Sequence, residues 1–229
     1  MGDEIDTTKF DDDDFERFRS RVGQETEVLR SALASNGQAQ TSHVIGFELE
    51  AWLLDEQYQP VPESDRYLKG LNSELVVPEL SLFNIEINGT PEPLGESAFE
   101  KFEDKIQKTW QACQEAANEQ ALTLASIGTL PTLETNHLNL ANMSPQNRYF
   151  AMNQQILKSR DGRPVRIDIE GKERLKVAHP NVLIEASATS FQVHFQTPPE
   201  QLVAAFNASC IISAPLLAVS VISPFLFGR

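Results

Sequence analysis

The stretch VIGFELEAWLLD, residues 44–55, sets Glu48 and Glu50 into an otherwise apolar run. Side chains alternate faces along a strand, so both carboxylates share a face with Gly46 and Trp52. Two such groups side by side repel and lose hydration. A hard divalent cation between them removes the repulsion: Mg²⁺ takes oxygen ligands, and Mn²⁺ also accepts nitrogen. Two further segments repeat the pattern. LFNIEING, 82–89, puts Phe83, Ile85 and Ile87 on one face and Asn84, Glu86 and Asn88 on the other. SFQVHFQ, 190–196, alternates Phe191, Val193 and Phe195 with Gln192, His194 and Gln196. If these strands share a sheet, their polar faces line a groove of carboxylates with one imidazole. A solvated face of an antiparallel sheet accounts for the same residues without a ligand, and spacing does not decide between the two.

The elements that must position these groups are legible as periodicities. Strands are expected at 43–54, 82–89, 121–128 and 187–196, and a hairpin at 165–177 with Gly171-Lys172 as a two-residue turn. Residues 97–119 carry Phe99, Phe102, Ile106, Trp110, Cys113 and Ala117 at helical spacing. A weaker amphipathic pattern, Phe18, Val22, Val28, Leu29 and Ala32, predicts a helix over 15–34, and Ser144-Pro145 starts another reaching Ser159. TPPE, 197–200, opens a last helix, with Thr197 as N-cap and Glu200 as its capping-box partner. Residues 1–14, with four consecutive aspartates, read as a solvated lead-in, and SNGQAQTS, 35–42, as a polar linker. The organisation expected is therefore an acidic lead-in and helix over 1–42, then one domain over 43–229.

With 33 acidic against 19 basic residues, the net charge of −14 argues against nucleic acid and anionic membrane as partners. It fits a cytoplasmic protein whose site gathers divalent cations. Cys113 and Cys210 lie in apolar helical patterns and read as reduced core residues. Residues 211–227 are apolar enough to test as a membrane span. Pro215, Pro224 and nearby Asn207, Ser209 and Ser213 favour a buried helix instead. The abrupt apolar ending SPFLFGR leads to the expectation that this is the N-terminal part of a longer protein, inactive by itself.

These residues resemble a family. GFELEAWLLD looks like the Gly-x-Glu-x-Glu opening strand of the glutamate–cysteine ligases, in the branch that includes bacterial carboxylate–amine ligases. PELSLFNIEINGTPEP is similar to the family's second segment, where an acidic residue precedes a glutamate by seven positions, here Glu79 and Glu86. NRYFAMNQQI resembles its Arg-Tyr segment, SFQVHFQ its histidine strand, and NASCIISAPLLAVSVISPFLFGR the helix that follows. The resemblance implies an α+β fold, a curved antiparallel sheet of the glutamine synthetase funnel type, incomplete here, backed by helices on one face. It implies a ligase of glutathione biosynthesis that phosphorylates the glutamate γ-carboxylate with ATP and lets an amine, most simply cysteine, displace the phosphate. By position it makes Glu48, Glu50, Glu79, Glu86 and His194 ligands of Mg²⁺ or Mn²⁺, and Arg148 the contact for an anionic substrate group. Partners would be glutamate, an amine and ATP, in a chain compatible with a homo-oligomer. This sequence departs from the family in Gln192-Val193-His194, which lacks the usual Gly-His, in Asn88, in Gln196 and in a longer hairpin insertion. The alternative is a metal- or ligand-binding module that keeps the sheet without turnover.

Overall fold

The computed structural model describes residues 3–34, 42–220 and 223–229; most of the linker expected at 35–42 lies outside them. Its organising element is the long strand β1, Val44–Leu54. β3, Asn84–Asn88, pairs antiparallel along one edge of β1, joined on its outer side by β2, Val76–Pro78. The short β4, Glu92–Pro93, pairs at the Val44 end. The other edge of β1 carries β8, Phe191–Gln196, and β5, Thr123–Ala125. The result is one six-stranded open antiparallel sheet, and the fold is α+β as expected.

Alternation along β1 divides the interior in two. Ile45, Phe47, Ala51 and Leu53 join Ile85, Ile87, Phe102, Cys113 and Ala117 in one core. The helix α3, Ala98–Glu119, supplies the last three, and α2, Ser64–Leu71, adds Tyr67. On the other face, Trp52 and Leu54 meet Phe83, Leu133, Leu138, Met143 and Leu183 in a second core. The sheet is thus backed on one face by helices, and its far end is also covered on the polar side. Gly89 shows why no side chain is tolerated after β3: a Cβ there would lie 2.2 Å from the Phe47 ring.

Several expectations are corrected. The strand expected at 121–128 is only three residues long, since Gly128 and the 3₁₀ turns Thr135–His137 and Leu140–Asn142 lead the chain away. α2 and β2 were not anticipated, because Pro60, Pro62 and Pro78 mask their short patterns. α4, Asn147–Ser159, begins beyond Ser144-Pro145 because Ser144 is taken up by the β3 approach: its amide donates to Leu80 O and its hydroxyl to Glu79 O. The hairpin forms as a separate two-stranded sheet of β6, Val165–Glu170, and β7, Arg174–His179. Glu170 pairs with Arg174, so the turn holds three residues rather than two.

Thr197 is not a cap. Its hydroxyl is buried without a hydrogen-bond partner, and Pro198 and Pro199 offer no amide hydrogen to it. A 3₁₀ turn, Pro199–Gln201, leads instead into α5, Leu202–Ser220.

α1, Asp12–Ala34, forms but buries no residue. The lead-in before it is not merely solvated: Glu4 Oε1 accepts from Asn147 N at 2.6 Å, and Asn147 Nδ2 donates to Ile5 O at 2.8 Å. An acidic side chain therefore sits at the positive end of α4. α5 is the largest correction. It is helical as expected, yet none of its residues is buried, and Cys210 on it is exposed. The segment Pro199–Ser220 is long and apolar enough to cross a membrane by length and composition. It lies across a cavity of about 990 Å³ from Phe99, Phe191, Val193 and Phe195, which stay exposed for the same reason. That cavity is on the sheet's apolar side, away from the carboxylates.

Candidate functional site

Register assembles the polar face. In β1–β3, Glu50 stands directly opposite Glu86, and Glu48 opposite Asn88. In β1–β8, Glu48 faces Gln192 and Gly46 faces His194. Opposed residues of an antiparallel pair share a face, so Glu48, Glu50, Glu86 and His194 stand on the same side of the sheet. Glu79 follows β2 and accepts from the Leu80 amide at 2.9 Å, and the charges of Glu86 and Glu50 act on its carboxyl. The Trp52 core closes the patch at the Glu50 end.

Each acidic group has its own surroundings. Glu86 is 4% exposed and accepts from Asn88 Nδ2 at 2.8 Å. His194 Nε2 lies 3.6 Å from Glu48 Oε2, with half of the imidazole exposed. Burial raises Glu50 above the ordinary carboxylate range; Ser190 opposes this with two hydrogen bonds, while the charges of Glu86 and Glu48 add to the rise. Glu79 is pushed up to about 8, first by burial and then by its hydrogen bond to Glu86. The charges of Glu86 and Glu50 add to that rise.

The same shift gives a stability prediction. A carboxyl raised above its unfolded value favours folding while it stays protonated. That stability is fully present below the ordinary carboxylate pKa and is lost as pH rises through about 8. Metal-free protein should therefore melt lower at pH 8.5 than at pH 5.5. Glu79→Gln should shrink the difference by on the order of 2 kcal/mol, at about 1.4 kcal/mol per pKa unit with allowance for coupling. A variant with the same pH slope as the wild type would show that Glu79 is ionised throughout.

α4 carries Arg148. Its Nη2 donates to Tyr149 Oη at 2.9 Å, and its guanidinium carbon lies 4.7 Å from the Tyr149 ring centroid. Tyr149 is pushed up to about 12 by burial and then by the charge of Glu79. Register thus places Glu48, Glu50, Glu86 and His194 on one face of the sheet, the charges of Glu86 and Glu50 act on Glu79, and Arg148 is held against Tyr149. The structure adds Tyr149, Ser190 and Glu185, the last raised by burial and then by the charge of Glu50. Strand parity could have found Ser190, four residues before His194. Glu185 lies within a 3₁₀ turn, Val182–Ser187, and left no periodic signal. Among the described residues, no three His, Cys, Asp or Glu side chains already close on one point as a metal cage.

Fold and site together define a sheet protein that presents acidic oxygens and one imidazole from one face. Residues 44–229 match glutamate–cysteine ligase family 2 (GCS2), and the chain belongs to that family. No curated protein matches the chain.

Proposed function

We propose that this protein serves an ATP-dependent carboxylate–amine ligase that activates the γ-carboxylate of glutamate as an acyl phosphate and joins it to an amine, most simply cysteine. The observation that carries this reading is the meeting of Glu48, Glu50, Glu86 and His194 on one sheet face by register, in a chain of this family. The donor set fits a hard cation: four carboxylates supply oxygen and His194 a nitrogen that Mn²⁺ also accepts. A cation held by Glu79 and Glu86 would remove the electrostatic opposition to ionisation of Glu79. Bound Mg²⁺ would supply neutralisation of the nucleotide phosphates. Glu48, Glu50, Glu79, Glu86 and His194 would hold it, and side-chain rotation would draw them together. Arg148, held against Tyr149, offers a planar fork suited to a substrate carboxylate. The setting in this reading is cytoplasmic, with small-molecule partners and neither nucleic acid nor membrane.

The test is ADP release by the full-length product with Mg²⁺, ATP, glutamate and a panel of amines. Release that needs both glutamate and an amine, greatest with cysteine, is expected. No release with any amine, from protein that still binds Mn²⁺, would favour the binding module without turnover.

A further inference from the structure

Glu50 is gripped at both oxygens by one residue. Ser190 Oγ donates to Glu50 Oε1 at 2.7 Å, and Ser190 N donates to Oε2 at 3.0 Å. The main chain returns the contact, Glu50 N donating to Ser190 O at 2.9 Å. We infer that Ser190 is a positioning residue, which aims the Glu50 carboxylate at the divalent cation of the proposed site. The inference rests on the metal part of the proposed function and adds a residue to it.

The grip is well anchored. Thr189, the preceding residue, donates from its amide to Gly128 O at 2.7 Å and from its hydroxyl to Ile127 O at 2.7 Å. Ile127 O also accepts the Trp52 indole at 2.8 Å, which ties the turn to the second core. Ser190 therefore cannot follow a wandering Glu50; Glu50 must conform to Ser190. A carboxylate oxygen has more than one lone-pair site, so each oxygen of Glu50 keeps capacity for a cation after accepting from Ser190. Hydrogen bonds of this kind orient ligands, and their loss costs about 10- to 100-fold in metal affinity. Ser190→Ala removes the hydroxyl but keeps the amide, so the expected loss is at the lower end, about 10-fold.

The experiment is Mn²⁺ titration of the protein without nucleotide, followed by calorimetry and by the electron paramagnetic resonance signal of free Mn²⁺. Metal-free melting is recorded alongside. Ser190→Ala should bind about 10-fold more weakly with little change in metal-free melting, and Ser190→Thr, which restores a hydroxyl, should bind like the wild type. Equal binding by wild type and Ser190→Ala would overturn this inference alone, as would equal weakening in Ala and Thr variants. Absence of Mn²⁺ binding by the wild type would overturn the metal site and this inference with it.

Discussion

Glu50→Gln in the full-length product should lower turnover by about 100-fold or more, the scale of one preorganised electrostatic contact. Glutamine keeps the shape of the side chain and can accept from the Ser190 amide while donating to its hydroxyl, but it loses the charge that holds a cation. Folding should not suffer in the same way. Glu50 stands opposite Glu86 and two residues from Glu48, and burial already disfavours its ionised form. Removing that charge relieves the empty site, so metal-free melting should stay level or rise. One opposing cost is the Ser190 amide, which would meet a glutamine amide group in one of the two rotamers; the other rotamer avoids it. The solvated-face reading of these glutamates predicts a different pair of results: stability within about 0.5 kcal/mol and no kinetic change. Turnover together with melting, with and without Mg²⁺, separates the two. Unchanged turnover would leave the pair as ordinary sheet surface.

Trp52→Ala should have the largest effect on stability, about 3–5 kcal/mol, the range for emptying a buried large aromatic site. Trp52 is fully buried and stacks on Phe83, with ring centroids 5.7 Å apart and planes 7° from parallel. Its indole hydrogen bond to Ile127 O also helps fix the turn that presents Thr189 and Ser190. Trp52→Phe keeps much of the apolar volume and loses the indole donor. Ile127 O still accepts from Thr189, so no buried carbonyl is orphaned and the cost should be about 1 kcal/mol from the hydrogen bond plus a smaller packing loss. Urea unfolding of the three proteins measures both steps through midpoint and slope. A Trp52→Ala cost below about 1 kcal/mol would show that the second core does not brace this end of the sheet.

Much of the site was written in local pattern. The period of two in 44–54, 84–88 and 191–196 placed Glu48, Glu50, Glu86 and His194 on polar faces before any strand was paired, because alternation is a property of extended backbone alone. The helical stripe of 97–119 likewise gave α3 to within one residue. Pairing was another matter. That Glu50 opposes Glu86 and that Gly46 opposes His194 depends on register between segments far apart in the chain, and no single segment encodes its partner's offset. The segment leading into α4 is tied to the Glu79–Leu82 stretch by the Ser144 hydrogen bonds and by Leu82 N donating to Asn142 O, contacts between segments some sixty residues apart.

Burial was the least legible quantity. α5 and α1 carry the apolar residues of core helices, yet neither buries one, whereas Trp52, on the same strand face as two glutamates, is fully enclosed. Composition says what a side chain gains by leaving water; only the tertiary arrangement says which surface is there to receive it. The acidic and apolar faces of the strands were thus determined by the sequence itself. Which carboxylates meet, and which serine aims them, was decided by long-range packing that no local period contains.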